Sequence, residues 1–350
     1  MTLRPVRLEP QFVPRIWGAR NLAPLFPEKQ SLAEPIGEVW LTGNDCKFAD
    51  GPFAGQKLGN AWPGMGGDWR GRSAGRDKLF PLLVKFIFPE EKLSVQVHPG
   101  DDYARKNEST AGGVGKTEMW YVISARAGAE VRVGLKPRVD RESFRRAIAD
   151  GSAEECVERV PTQAGDAIFV PAGTVHTIGP GMMICEIQEN SDITYRIFDF
   201  NRLTPQGQPR ALHIEKAMQV IRFGEQRGGV TRPVRTKRGA LIATHFAACQ
   251  YFVTEKWDFQ APVSGATSGD NFELLIVVEG RGRIKIGDAD VEYAPAQTWL
   301  LPAALGKYEL APAAPTMLLQ TFVPSSLEEY KSEVMSQGAG EREISRIIYS

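Results

Sequence analysis

Residues 165–176 read GDAIFVPAGTVH, and this stretch decides how the chain around it folds. The opening Gly-Asp pair favours a turn, and residues 167–170 are an apolar run with the length and composition of a short strand. The Pro-Ala-Gly that follows turns the chain back, so that His176 opens a second strand. The sequence therefore predicts a tight hairpin that holds one imidazole at a fixed place. An ordinary hairpin with a surface histidine is the alternative.

This hairpin resembles the second conserved motif of the cupins, which are small β-barrels of the jelly-roll kind that hold a metal near the barrel axis. Further candidate ligands lie upstream. Gln96 and His98 are two residues apart in an alternating strand, so their side chains leave the same face. Lys116 and Glu118 are spaced in the same way at the start of a second apolar strand.

The candidate metal shell consists of Gln96, His98, Glu118 and His176. Two imidazole nitrogens, a carboxylate and an amide oxygen suit a borderline divalent ion. We therefore expect one zinc ion (Zn2+) per chain, with one coordination position left for water or substrate.

Seven motifs resemble those of the type I mannose-6-phosphate isomerases. They are PRIWG (14–18), GEVWLTG (37–43), PLLVKFIF (81–88), LSVQVHP (93–99), KTEMWYV (116–122), GDAIFVPAGTVHTIG (165–179) and EIQENSDITYRIFDFNR (186–202). They follow the order of that family over about the first 200 residues. Ordinary cupins usually show His-x-His in the first strand, and Gln96 in place of the first histidine is characteristic of the isomerases. Gly115, before KTEMWYV, stands where some members have histidine.

The resemblance implies a zinc-dependent aldose-ketose isomerase that interconverts mannose 6-phosphate and fructose 6-phosphate through an enediol. It also implies roles for further residues. Lys116 and Lys85 are candidates for proton transfer, Arg196 for stabilising the enediolate or the phosphate, and Asp192 for ring opening or proton transfer. Two more candidates follow from the residues themselves: Trp17 as a floor for the sugar ring, because an indole face covers the apolar side of a pyranose, and Ser94, two residues before Gln96 on the same face, as a weaker candidate for phosphate binding.

Each of these roles has a structural alternative. Lys85 could be a strand-edge lysine whose amine reaches water, and Asp192 and Arg196 could form a surface ion pair that contributes little. Trp17 could equally be a core residue, because an indole packs as well against apolar side chains as against a sugar. The motif GEVWLTG (37–43) is expected to give structural support through Glu38 and Trp40.

Composition indicates a cytoplasmic enzyme. The chain has 42 basic and 42 acidic residues among 350, so no broad attraction to nucleic acid or to a membrane is expected. No apolar stretch has the length of a transmembrane helix, and the N-terminus lacks a signal-peptide core. The four cysteines are far apart, which predicts buried thiols rather than a disulfide framework. The expected partner is a sugar-phosphate substrate, and no obligatory protein partner is implied.

The predicted fold is mainly β, with two cupin-type jelly-roll β-barrel domains and a few short helices. Residues 1–202 are expected to form the catalytic, metal-binding cupin domain, interrupted by a helical insert at about 138–160 that Asp140 caps. Residues 203–235 are expected to be a helical bridge. Residues 236–323 repeat the sheet pattern without a histidine in the corresponding hairpin, which predicts a second, metal-free cupin domain, and residues 324–350 a C-terminal helix and tail.

Two other functions remain open from the sequence. A metal-dependent cupin oxygenase would use iron and usually presents three histidines and a glutamate, so Gln96 weakens that hypothesis. A noncatalytic sugar-phosphate-binding cupin would retain the fold and lose a catalytic group, but Lys116, Asp192 and Arg196 are all present.

Overall fold

The computed structural model describes residues 3–74, 79–225 and 228–349. The strands of the first half are β1 (Val6–Leu8), β2 (Gln11–Ala19), β3 (Ile36–Trp40), β4 (Leu82–Ile87), β5 (Val95–Val97), β6 (Glu118–Ala125), β7 (Glu130–Leu135), β8 (Val157–Pro161), β9 (Ala167–Val170), β10 (His176–Ile178), β11 (Met182–Glu189) and β12 (Tyr195–Phe198). Those of the second half are β13 (Gly229–Val230), β14 (Val234–Arg238), β15 (Leu241–Ala248), β16 (Val253–Phe259), β17 (Val263–Ala266), β18 (Glu273–Glu279), β19 (Gly282–Ile286), β20 (Ala289–Tyr293), β21 (Thr298–Leu301), β22 (Lys307–Pro312) and β23 (Thr316–Phe322).

The helices are short and lie between or outside the sheets. They are α1 (Leu58–Ala61), α2 (Gly67–Arg70), α3 (Asp101–Asn107), α4 (Arg141–Asp150), α5 (Ile214–Val220), α6 (Leu327–Ser336) and α7 (Glu341–Ile344). Short 3-10 turns occur at Gly51–Phe53, Trp62–Gly64, Ser109–Ala111 and Ala153–Cys156. No helix in the described part of the chain is long and apolar enough to span a membrane.

Four antiparallel sheets form two sandwiches. In the first half, the seven-stranded sheet β13-β9-β6-β11-β4-β3-β2 faces the five-stranded sheet β12-β5-β10-β7-β8. In the second half, β1-β21-β18-β23-β16-β15-β14 faces β17-β22-β19-β20. The mainly β prediction is confirmed. Each half is a pair of packed sheets, the arrangement by which jelly rolls bury their strand faces.

The two seven-stranded sheets pack back to back, so the molecule has four layers of sheet. Apolar side chains from both sheets, such as Phe86 and Met119 of the first and Leu274 and Leu319 of the second, belong to one buried cluster. Two strands also cross between the halves. β1 pairs with β21 of the second half, and β13 pairs with β9 of the first. The first strand thus lies outside the sheets that residues 11–202 build.

The region around 138–160 departs in part from its expected helical character. Asp140 caps α4 as expected, accepting a hydrogen bond from the Ser143 amide at 2.8 Å, and α4 ends at Gly151 in the left-handed conformation. Residues 157–161, however, form the strand β8, so the helical insert ends earlier than predicted. Val157 and Val160 face Leu135 and Val131 across the β7 ladder, and these cross-strand contacts outweigh a weak helical pattern.

Other predicted elements are observed. The bridge contains α5, and the C-terminal segment contains α6, which Ser326 caps. The final residues dock on the first half, where the Tyr349 ring stacks on Phe169 at 3.9 Å. Cys46, Cys185 and Cys249 are buried thiols, and Cys156 is half-buried.

Candidate active site

The strands bring the predicted metal ligands together at one end of the first sandwich. Gln96 of β5 lies directly opposite His176 of β10 in the smaller sheet. Glu118 begins β6 in the larger sheet, which faces the smaller one. One nitrogen of each of the imidazoles of His98 and His176 and one oxygen of Glu118 lie within 4.8 Å of one another. All three side chains are buried.

Backbone contacts fix the tautomer of both histidines. The Nδ1 atom of His98 lies 2.9 Å from the carbonyl oxygen of Ile193, and Nδ1 of His176 lies 2.9 Å from that of Thr174. Because a carbonyl can only accept, each Nδ1 carries the proton and each Nε2 presents a lone pair. The pKa of His98 is held well below its usual value and that of His176 falls to about 4, chiefly because burial disfavours the charged ring. Both rings are therefore neutral, as metal ligands must be.

The two Nε2 atoms point toward Glu118. The Nε2 of His176 is 3.3 Å from Oε1 of Glu118, and the Nε2 of His98 is 3.7 Å from Oε2. Burial raises the pKa of Glu118, which Lys116 opposes. The ammonium of Lys116 lies 2.8 Å from Glu118 Oε2 and 3.1 Å from His98 Nε2. The imidazole and carboxylate donors of this cluster thus already lie around one cationic group, the side-chain amine of Lys116.

Gln96 lies beside this cluster with its amide turned the other way. Its Nε2 is 3.2 Å from Nε2 of His176, and its Oε1 accepts a hydrogen bond from Ser94 at 3.3 Å. A 180° rotation of the Gln96 side-chain amide would direct Oε1 toward the histidines. Ser94 therefore contacts Gln96, and it also lines the cavity described next.

A cavity of about 440 Å³ reaches Gln96 and Lys116 beside the cluster, whereas His98, Glu118 and His176 themselves lie behind its wall. Gln96 and Lys116 form the part of its wall nearest to the histidines. All the other residues that the sequence singled out as catalytic or substrate-binding also line it, namely Trp17, Lys85, Ser94, Asp192 and Arg196. Trp17 is buried within an apolar cluster and exposes one side to the cavity, so it serves both as core and as wall.

Lys85 is a buried ammonium among three carboxylates rather than a strand-edge lysine. It is 1% exposed. Its Nζ lies 3.3 Å from Glu186, 3.7 Å from Asp192 and 4.0 Å from Glu38. Burial alone would lower the pKa of Lys85, but these acids hold it above its usual value. Lys85 is therefore a fixed positive charge.

Glu186 lies between Lys85 and the His-Glu-His cluster, and it was not among the predicted site residues. It lies opposite both Lys85 and Trp120 in the large sheet and accepts a hydrogen bond from the Trp120 indole at 3.0 Å. Burial would raise the pKa of Glu186, but Lys116, Lys85 and the indole N–H hold it below its usual value. One signal was available, because Glu186 is an acid inside the apolar run MMICEI.

The rim of the cavity carries three guanidinium groups. Arg15 donates to Glu38 at 2.8 Å and lies 3.8 Å from Asp192. Arg196 donates to the carbonyl of Ala211 at 2.9 Å, and Arg210 donates to Asp199 at 2.8 Å. Arg15 and Arg210 were not among the predicted site residues. The alternative of an Asp192–Arg196 ion pair is not observed in the described structure, where Asp192 pairs with Arg15 and Lys85.

Comparison with known proteins places the chain in a family. A family profile, "Mannose-6-phosphate isomerase, cupin domain", matches residues 242–316. The probable mannose-6-phosphate isomerase GmuF of Bacillus subtilis is 34% identical over 316 residues, which are 87% of this chain and 96% of the relative. The mannose-6-phosphate isomerase of Streptococcus mutans is 33% identical over 309 residues, 87% of this chain and 94% of the relative.

The chain belongs to the mannose-6-phosphate isomerase family. A crystal structure of the mannose 6-phosphate isomerase from Bacillus subtilis superposes with a TM-score of 0.82 at 29% identity, covering 91% of this chain and 99% of that one. A zinc-bound mannose 6-phosphate isomerase structure shares the fold, with a TM-score of 0.70 at 16% identity and the same coverage. The predicted family and the assignment as an isomerase are confirmed.

Proposed function

We propose that this isomerase interconverts mannose 6-phosphate and fructose 6-phosphate with one zinc ion bound by Gln96, His98, Glu118 and His176. The observation that carries the proposal is the pairing of a buried His-Glu-His cluster with a cavity rimmed by arginines. The cluster suits a divalent ion, and the rim suits an anionic substrate. Relatives that are named mannose-6-phosphate isomerases support the choice of sugar.

The donor set fits zinc. It offers two neutral imidazole nitrogens and a carboxylate, and Oε1 of Glu118 is buried without a hydrogen bond from a described donor. Two histidines and a carboxylate are typical protein ligands of catalytic zinc, and Gln96 would add a fourth while one position stays open for water or substrate. The ion would polarise the sugar oxygens as a Lewis acid and stabilise their negative charge in an enediol-like transition state. We expect Lys116 to turn toward the cavity when its place among the ligands is taken.

The reaction moves a proton from the second sugar carbon to the first, while a hydroxyl proton moves from the second oxygen to the first. Of the two lysines that line the cavity, Lys85 is held protonated by its three acids, so it is a poor proton acceptor. Lys116 is the lysine nearest to the proposed ligands, with its Nζ 3.1 Å from His98. We assign proton transfer to Lys116. The role that we assign to Lys85 is to hold Glu186 in position.

Arginines at the rim would bind the phosphate. Arg196 lies directly opposite Gln96 in the β5–β12 ladder, so one strand pairing sets the distance between a metal ligand and the cationic rim. Arg210 also lines the cavity, and its charge acts on Arg196. Guanidinium groups bind phosphate through paired N–H donors, and their fixed position would hold the sugar carbons over the metal cluster. Asp192, the exposed acid of the rim, is the group we assign to ring opening.

The test is an assay of purified, zinc-loaded protein with mannose 6-phosphate, in which fructose 6-phosphate is measured. Glucose 6-phosphate and unphosphorylated mannose serve as competitors. We expect turnover of mannose 6-phosphate, inhibition by glucose 6-phosphate and little effect of mannose, because mannose lacks the phosphate that the arginines bind. Absence of fructose 6-phosphate from folded, zinc-loaded protein would refute the proposal.

A further inference from the structure

The segment that carries Lys116 and Glu118 is held from its opposite side by two carboxyl groups, of which Glu189 is buried and Asp101 is half-buried. The amide of Gly115 donates to Oδ1 of Asp101 at 2.9 Å. The amide of Thr117 donates to Oε1 of Glu189 at 2.6 Å, and the Glu189 amide donates back to the Thr117 carbonyl at 3.2 Å. Because side chains alternate along an extended segment, groups that hold Gly115 and Thr117 set the direction of Lys116 and Glu118.

Gly115 makes this approach possible. A Cβ atom at this position would lie 2.7 Å from the Asp101 amide nitrogen and 2.9 Å from the Gly100 carbonyl carbon. Both contacts are too short for a real Cβ atom. The segment can therefore approach the start of α3 only because residue 115 has no side chain, and Asp101 can reach its amide.

The second half of the chain takes part in this arrangement. Tyr251 lies in the turn between β15 and β16, and its hydroxyl donates to Oδ2 of Asp101 at 3.1 Å. The turn is closed by a hydrogen bond from the Cys249 amide to the Phe252 carbonyl at 2.9 Å. Asp101 thus divides its two oxygens between the Gly115 amide of the first half and a phenol of the second.

We propose that Asp101, Glu189 and Tyr251 are positioning residues for the metal centre, and that through them the second half of the chain sets the geometry of Lys116 and Glu118. This inference rests on the proposed zinc site. A hydrogen bond from a backbone N–H group to a carboxylate is among the stronger ones in proteins, and the Asp101 side chain, held at both oxygens, cannot rotate away. Groups that orient metal ligands typically change metal affinity about 10- to 100-fold when they are removed.

The experiment uses Tyr251→Phe in the full-length protein, because this change deletes the hydroxyl and leaves the ring in place. Zinc affinity is measured without substrate, by competition with a chromogenic chelator, and kcat and KM are measured with mannose 6-phosphate. We expect the zinc dissociation constant to rise about 10-fold. We expect kcat to fall several-fold with KM within two-fold, because the rim arginines are untouched.

Tyr103→Phe is the matched control. Tyr103 lies on α3, lines the same cavity between the halves as Tyr251, and donates a hydrogen bond of 2.9 Å to Gln219 rather than to Asp101. Its zinc affinity should equal that of the parent. Equal zinc affinities for Tyr251→Phe and Tyr103→Phe would overturn the proposal. It would also be overturned if both variants lost zinc affinity in parallel with a lower thermal stability of the zinc-free protein.

A pair of substitutions at Glu189 separates positioning from mere packing. Glu189→Gln retains an oxygen that accepts from the Thr117 amide, whereas Glu189→Leu does not. We expect Gln to preserve zinc affinity within about three-fold and Leu to weaken it by more than 10-fold. Equal effects of the two changes would contradict positioning. If the parent binds zinc yet makes no fructose 6-phosphate, the proposed function fails, while the zinc affinities still decide the role of Tyr251.

Discussion

Replacing Lys85 by Met should destabilise the protein strongly, because it leaves buried acids without their cation. Lys85 is 1% exposed, and its ammonium lies 3.3 Å from Glu186 Oε2, which is itself buried. Removal of one partner of a buried ion pair typically costs about 3–5 kcal/mol of unfolding free energy. Methionine has nearly the same length and volume, so the loss measures charge rather than packing.

This free energy can be converted to a melting temperature. For 350 residues, an unfolding entropy of about 2.1 cal/mol/K per residue gives roughly 0.7 kcal/mol per degree. Lys85→Met should therefore lower Tm by about 4–7 °C. Calorimetry on chelator-treated protein is the suitable assay, because bound zinc would add its own stabilisation. Adding Glu186→Gln to Lys85→Met should recover part of the loss, since the uncompensated carboxylate is then gone.

Lys285→Met is the control. Lys285 also lies on a strand and pairs with Glu309 at 2.9 Å, but both side chains are nearly half exposed, and such pairs contribute at most about 1 kcal/mol. Its Tm should change by about 1 °C or less. A Lys85→Met protein that melts within a degree of the parent, with no recovery in the double variant, would show that the ammonium does not compensate the acids.

Three further results are expected. His98→Ala and His176→Ala should each retain the fold and lose zinc by elemental analysis, whereas full occupancy in both would sink the ligand assignment. Lys116→Ala should lower kcat and kcat/KM together by roughly 10²-fold with unchanged zinc content, whereas Arg196→Ala should lower kcat/KM mainly by raising KM, because Arg196 binds the phosphate; parental kinetics in both would remove these residues from the proposal. Stability should fall as the pH drops from about 4.5 to about 2, because His245 and the Trp257 indole overcome the effect of burial and lower the pKa of buried Glu255 to about 2. The stabilisation by ionised Glu255 is present above pH 4.5 and is lost as Glu255 is protonated. In Glu255→Gln, the unfolding free energy from urea denaturation should therefore depend less on pH over that range. An unchanged pH dependence would contradict this prediction.

The sequence predicted the parts of the site that depend on local patterns. Gln96 and His98, and Lys116 and Glu118, share a face because strands alternate with a period of two, and that period is visible in the residues. The hairpin likewise placed His176 at the start of β10. Their convergence came from the cupin resemblance, since no local pattern states which strands will face one another.

Partners that are distant along the chain could not be predicted in this way. Lys85 and Glu186 meet because β4 pairs with β11, and the sequence does not reveal that register. Arg210 was missed for another reason. It lies in a segment whose Arg, Gly and Pro content is typical of a bridge, yet its guanidinium is anchored by Asp199 at the cavity rim. The amino-acid composition of such a segment indicates a linker, but it does not indicate which side chains the segment contacts.

The same strand registers explain why the second sandwich is expected to bind no zinc. Glu273 lies opposite Leu301 just as Glu118 lies opposite Val170, so an acid is placed at the equivalent position. Tyr308 lies opposite Gly265 where His176 lies opposite Gln96. The Tyr308 hydroxyl donates to Glu273 at 2.9 Å, and a Cβ atom at residue 265 would collide with the Tyr308 ring.

The second sandwich has thus replaced a ligand by a hydrogen-bond donor. Burial raises the pKa of Glu273 to about 7, against the hydrogen bonds from Tyr308 and Gln320 that oppose the rise. Because Oε2 of Glu273 already accepts hydrogen bonds from Tyr308 at 2.9 Å and Gln320 at 2.8 Å, and a tyrosine stands where the first sandwich has His176, Glu273 is a poor zinc ligand. We therefore expect the second half to affect the proposed metal centre through its contacts with the first half. The hydrogen bond from Tyr251 to Asp101 is such a contact.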